Sequence, residues 1–202
     1  MKKIPILIVL LLCCTLFSHA QQVYHNKTWG FSLSRPDGWI EMTTGYAEQN
    51  VKEYDFTEEQ LEKVLEKKKG MILLLALSKR DLKISAGVIP TIKVNASSLK
   101  PVSQDVFLRM IRRSLDDIIK VMDDARYERE PEIISLNGTP AVLGIISFGL
   151  KHDGNTYRAR TFIYTVQRKG HFIQFSFSDT GEDEDCSQLY RELAASIKFD
   201  KN

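Results

Sequence analysis

"NGTPAVLGIISFGLKHDGNTYRARTFIYTVQRKGHFIQFSFS", residues 137–178, is divided into strand-length runs by three turn signals. Asn137-Gly138, Asp153-Gly154-Asn155 and Lys169-Gly170 are residue types that accept the tight backbone of a hairpin. The runs between them, 141–150, 157–166 and 172–178, are rich in β-branched and aromatic residues, and a shorter run, 133–136, precedes the first turn. Four such runs in succession predict an antiparallel meander. In the last, His171, Ile173, Phe175 and Phe177 alternate with Gln174 and Ser176, which predicts one dry face and one more polar face. In its partner Arg158 and Arg160 alternate with Tyr157, Ala159 and Thr161. With Arg168 and Lys169 these arginines form a candidate basic strip, read as a solvated outer face of the sheet rather than an anion site.

Outward from the meander the periodicity changes. Val106/Phe107, Met110/Ile111, Leu115, Ile118/Ile119 and Met122 recur at helical spacing behind Ser103, which predicts a capped helix with a broad core-facing stripe. Residues 57–69 predict a second, highly charged helix, with Thr57 and Gln60 as a capping box and Gly70 as its stop. A third is expected over 185–197, with Leu189, Leu193 and Ile197 toward the sheet and the acids of "GEDEDC", 181–186, collected at its positive end. Residues 71–77 and 84–94 read as further strands, the second bent near Pro90, which cannot donate to a ladder. The stretch "WGFSLSRPDGWIEM", 29–42, reads as an opening hairpin turned by Pro36-Asp37-Gly38, with Trp29, Phe31 and Trp39 closing one end of a core. Together these elements predict an α+β protein.

The chain begins with Lys2 and Lys3, an apolar run over 4–17, and Ser18-His19-Ala20 before Gln21, the pattern of a secretory signal with cleavage after Ala20. The run falls short of the roughly 18 apolar residues that a membrane span needs. The expected organisation is therefore a signal peptide over 1–20 and one domain over 21–202, located in the periplasm or secreted, with no transmembrane segment after cleavage. Cys13 and Cys14 raise the alternative of a lipoprotein, although Leu11 and Leu12 stand where a lipidation motif wants small residues. Of 28 Lys and Arg against 26 Asp and Glu, Lys2 and Lys3 leave with the signal and the two signs balance. A balanced chain lacks the basic excess of a nucleic-acid binder. Cys186 is the one cysteine beyond the signal, so no internal disulfide can form, and it is read as a buried helix residue.

Chemical motifs are sparse. "GIISFG" around Ser147 has the wrong spacing for a nucleophile elbow and falls inside a strand. His25, His152 and His171 are far apart in sequence, with no zinc-ligand spacing, and the acidic cluster lacks the alternating ligands of a calcium loop. No catalytic, cofactor-binding or metal-ligating residue is assigned, and no cofactor is expected.

"WGFSLSRPDGWIEM", with "NGTPAVLGIISF", "RTFIYTV", "HFIQFSF" and the closing "LAASIKF", resembles the PsbP-like proteins, a superfamily that also includes the Mog family and bacterial DcrB-type periplasmic proteins. The resemblance spans most of 24–199. It implies an α/β/α sandwich around a central antiparallel sheet and a non-enzymatic binding or assembly-assisting role. It carries no catalytic set to this chain, and the metal ligands of plant members have no matching motif. The functional expectation is an exported accessory protein that contacts another envelope protein. The alternatives are a carrier of a small apolar ligand held between the sheet and the 103–122 helix, or an enzyme of unrecognised type. The expected functional surface lies in 43–56 or in the loop around 79–83.

Overall fold

The computed structural model describes residues 22–42, 57, 70–81, 87–152 and 154–200. The signal at 1–20, the segment 43–56, most of the 57–69 helix and the first part of the 84–94 strand lie outside the described residues.

Ten strands and two helices follow one another in the described chain. They are β1 (Val23–Asn26), β2 (Phe31–Ser34), β3 (Ile40–Glu41), β4 (Met71–Ser78), β5 (Thr91–Ser98), α1 (Gln104–Val121), β6 (Arg126–Leu136), β7 (Thr139–His152), β8 (Asn155–Arg168), β9 (His171–Asp179), α2 (Ser187–Ser196) and β10 (Lys198–Phe199). The expected meander is present as β6 to β9. Asn137 and Gly138 have φ of 48° and 82°, and Gly170 has 80°, so these turns use the left-handed backbone that their residue types allow. The meander is one side of a seven-stranded antiparallel sheet in the order β3-β4-β5-β9-β8-β7-β6, beside a three-stranded sheet in the order β1-β2-β10.

Alternation along the strands sorts two cores. Phe162, Tyr164, Val166, Ile173, Phe175 and Phe177 face α2 and β2, where Tyr190, Leu193, Ile197, Phe31 and Leu33 meet them. Phe31 and Phe175 pack edge to face at 5.4 Å, and Tyr190 lies 5.4 Å from Phe177. Burying each such ring contributes about 2–3 kcal/mol before entropy is counted. On the other face Val142, Ile146 and Ile163 take the buried stripe of α1, Phe107, Ile111 and Leu115. At Gly144 a Cβ would stand 2.8 Å from Leu115 Cδ1, so helix and sheet touch directly there. Met110, expected in the core stripe, is 45% exposed. Ser103 caps α1 as expected, accepting from the Val106 amide.

The opening hairpin is not formed. β2 pairs with β1 and β10, while Ile40 and Glu41 pair with Ser78 and Leu77 at the edge of the large sheet. The turn itself is there, with the Trp39 amide donating to the Pro36 carbonyl and Gly38 at φ 75°. It carries the chain from one sheet to the other instead of folding it back. Arg35 fixes the crossing by donating to Glu41 and to the Trp39 carbonyl. Trp39, 7% exposed, fills the space between the sheets.

Candidate functional site

Among the described residues, a dense group of ionisable side chains lies at the end of the sheet where β8 begins and β9 ends. The β8–β9 register places Arg160 directly opposite Asp179. Arg160 Nε donates to Asp179 Oδ1 at 2.9 Å and Nη2 to Asp179 Oδ2 at 2.7 Å, a two-pronged pair that suits the planar guanidinium. The same Nη2 reaches Asp185 Oδ1 at 2.7 Å. Asp179 is fully buried and also accepts from the Gly181 and Cys186 amides. Its carboxylate thereby folds the 180–186 loop around itself and sets the first turn of α2. Arg160 further lies 5.0 Å from the centre of the Phe162 ring.

A second knot joins the loop after β4 to the same place. Lys79 Nζ and Arg80 Nη2 hold the two oxygens of Glu184 at 2.6 and 2.7 Å. Glu184 is fixed from behind by its own amide, which donates to Thr180 Oγ1. Beneath lie Cys186 and Tyr190, the tyrosine donating its hydroxyl to the Ser178 carbonyl.

The electrostatics follow from these contacts. Burial pulls the Arg160 pKa down, but the hydrogen bonds to Asp179 and Asp185 outweigh it and raise it overall, so the guanidinium stays charged. Hydrogen bonds from Ser187, and then from Arg160, hold the Asp185 carboxyl well below the usual carboxylate range. Burial pushes Glu184 up, yet Lys79 and Arg80 leave it lowered. Burial pushes both the Cys186 thiol and the Tyr190 phenol up. Each acid named here is matched to a cation, and the thiol and phenol are disfavoured as anions. The arrangement can clamp a loop and a helix onto the sheet.

Two expectations about these residues change. The acids of 181–186 do not sit in the first turn of a helix. α2 starts at Ser187 with no acid in that turn, and Glu184 and Asp185 are drawn back onto Lys79, Arg80 and Arg160. The basic strip is likewise not a solvated outer face. Arg158 and Arg160 share the core side of β8 with Phe162, where Arg158 donates to the buried Ser147 hydroxyl. Arg168 lies at the far end of the strand, roughly 26 Å away at 3.3 Å per residue, over the Phe199 ring and bonded to the Asp200 carbonyl.

The remaining candidates are dispersed. His25 lies 3.4 Å from Asp200, His171 packs edge-on against Trp29 with ring centres 4.8 Å apart, and His152 closes β7 at the opposite end. Among the described residues no group of three His, Cys, Asp or Glu is placed to hold a metal ion. Cys186 is buried at the N-cap of α2, as expected from its position near the chain end. The polar face expected of β9 exists. Gln174, Ser176 and Ser178 are half-buried between fully buried neighbours, with Gln174 bonded to Ser176 and Ser178 to Thr161. Among the described residues no helix is long and apolar enough to cross a membrane.

Taken as an architecture, the described elements make a sheet-dominated α+β protein with two antiparallel sheets and two helices. No protein-family model matches the sequence, and no curated protein matches it. Solved structures do. The cyanobacterial PsbP (CyanoP) of Synechocystis sp. PCC 6803 is similar with a TM-score of 0.51 and 16% identity, over 88% of this chain and 91% of that one. LpqN of Mycobacterium tuberculosis, involved in cell envelope biogenesis, is similar with a TM-score of 0.51 and 11% identity, over 90% and 91%. A protein of Bacteroides thetaiotaomicron gives 0.51 at 10% identity, and this chain spans about half of its length. The fold is PsbP-like, and at these identities the likeness concerns the fold alone.

Proposed function

We propose that this protein is an exported, non-catalytic accessory protein of the bacterial cell envelope that works by contacting another envelope protein. In the finer description its architecture is the α/β/α sandwich of the PsbP type. The observation that carries the reading is the Arg160 cluster. Among the described residues this dense group of ionisable side chains spends its charges on one another, and buried thiol and phenol groups pushed toward their neutral forms suit structure better than acid–base work. The likeness to CyanoP and LpqN supports it, as does the signal pattern over 1–20, which directs the domain to the periplasm or outside the cell. The proposal is tested by expressing the full chain in a bacterial host, fractionating the cells and weighing the intact protein. An envelope or medium fraction with Gln21 as the first residue is expected. A cytoplasmic protein that keeps residues 1–20 overturns the exported role, and an N-terminal lipidated cysteine replaces the free periplasmic form by a tethered one. Site-specific photo-crosslinking in the same cells reads the second half of the proposal, and a protein that yields no discrete crosslinked species from any exposed face refutes it.

A further inference from the structure

The two ends of the large sheet differ in how many of their cations are paired, although Arg126 at the first end also stands in no ion pair among the described residues. At the end just described, Lys79, Arg80 and Arg160 are each paired with a carboxylate, and nearby Lys151 holds Asp123 at 2.7 Å. At the opposite end three turns meet. The 27–30 turn is held to the β8–β9 hairpin by the Trp29–His171 contact, and the 99–103 connection is held to it by the Leu99 amide donating to the Gly170 carbonyl at 3.1 Å. Each turn presents one exposed lysine: Lys27, Lys100 and Lys169. Lys198, which opens β10, adds a fourth beside them, since Asp200 two residues on donates its amide to the Gly30 carbonyl. None of the four stands in an ion pair among the described residues. Among the described residues the carboxylates of this end are Asp200, 3.4 Å from His25, and Asp105 in the first turn of α1.

We propose that this end, Lys27, Lys100, Lys169 and Lys198, is the docking surface of the protein and that it receives an acidic patch on a protein partner. The inference rests on the accessory reading and names the surface and the partner chemistry. Exposed ammonium groups with no ion-pair partner among the described residues favour encounter with a negative surface, and a local patch steers association even when the net charge is small. A protein partner fits better than an anionic bilayer. Asp105 and Asp200 interrupt the cations, a uniform negative surface would oppose both, and the Trp29 ring is half-buried against His171 rather than free to enter a lipid interface.

The test uses the signal-processed protein with two probes, a poly-glutamate of about 20 residues as the acidic chain and vesicles of phosphatidylglycerol and phosphatidylcholine as the bilayer. Poly-glutamate is expected to bind at low salt, to be released between about 50 and 500 mM NaCl as screening shortens, and to bind at least about tenfold more weakly to a Lys27→Glu, Lys100→Glu, Lys169→Glu variant. An Arg109→Glu, Arg113→Glu, Arg191→Glu variant carries the same charge change on exposed helix positions and should lose less than about threefold. Equal losses in both variants overturn the surface, as does vesicle binding that exceeds peptide binding and depends on the three lysines. Unchanged thermal midpoints verify that the variants fold, and if the triple lysine variant unfolds, the single Lys169→Glu and Lys100→Glu changes are read instead. The two proposals fail separately. An envelope crosslink that survives the lysine variant removes this surface and leaves the accessory role, whereas lysine-dependent peptide binding without any envelope crosslink does the reverse.

Discussion

Removing Asp179 tests whether the Arg160 cluster holds the fold. In Asp179→Ala the guanidinium of Arg160, whose side chain is 14% exposed, loses both arms of its pair and keeps Asp185, which is 58% exposed and a weaker substitute. The Gly181 and Cys186 amides lose their acceptor at the same time. Breaking a buried pair from one side costs about 3–5 kcal/mol, and the surviving contact to Asp185 places the expected loss near the lower limit, about 3 kcal/mol. For a domain of this size each kcal/mol moves the thermal midpoint by about 2–4 °C, so a fall of about 6–12 °C is expected. Urea unfolding followed by circular dichroism gives the free energy directly. The companion is Arg160→Met with Asp179→Leu, which removes both charges and fills the volume with apolar atoms, and it should recover the part of the loss that comes from the stranded guanidinium while the Gly181 and Cys186 amides stay without their acceptor. A single variant within about 0.5 kcal/mol of the parent, or a double variant no better than the single one, would refute the view that the pair supports the 180–186 loop and α2.

Acid should loosen the same region, because Asp185 and Glu184 have lowered pKa values in the folded chain. Their contribution is complete above about pH 5 and declines as pH falls below about 4, by less than about 1 kcal/mol for the exposed Asp185, so an Asp185→Asn variant should show a flatter acid limb in a urea-midpoint titration. Arg160, with its pKa raised, adds no alkaline loss within the working range. Gly144→Ala should cost about 1–3 kcal/mol by forcing Leu115 off the sheet, and Leu115→Ala in the same chain should make the added methyl tolerable, both read from denaturant midpoints. Asn137 donates to the Ala195 and Ile197 carbonyls from a left-handed backbone, so Asn137→Ala should cost about 1–2 kcal/mol and Asn137→Gly less, with faster amide hydrogen exchange at Lys198 and Phe199 in both.

The meander was legible because its turns are written in residues that tolerate unusual backbone angles and its strands alternate over eight or more positions. The 29–42 stretch misled for a physical reason. A turn dictates a reversal of direction but not which strand lies next to it, and here β4 and β10, remote in sequence, compete successfully for the two arms. β1 and β10 are too short to show a period, and β6 conceals its first half behind Arg126, Glu128, Arg129, Glu130 and Pro131, where its register slips twice. The Arg160–Asp179 pair was within reach of the sequence. Once Lys169-Gly170 sets Arg168 opposite His171, counting outward along the two strands brings Arg160 to Asp179. That step needs the register as well as the strands, and composition alone had made Arg160 one of four surface cations.

The same topology explains how a chain with a net charge of only +2 can present a positive end. In an antiparallel meander successive turns fall on alternate ends of the sheet, so the residue types chosen for every second turn accumulate together. Asp123, Asp124 and Gly154 lie at the end where β7 closes, and the loop after β9 brings Glu184 and Asp185 to it, where Lys151 pairs with Asp123, Lys79 and Arg80 with Glu184, and Arg160 with Asp185. The β8–β9 turn and the connection into α1 bring Lys169 and Lys100 to the other end, where Asp105 and Asp200 are the acids among the described residues, and β10 and the turn before β2 add Lys198 and Lys27. Net charge governs the far field and so still argues against a polyanion of indefinite extent. It says nothing about a patch a few residues wide, which is screened over about 10 Å and acts at contact distance. A chain of small net charge, +2, with its charges sorted is therefore suited to recognising a bounded acidic surface in one orientation.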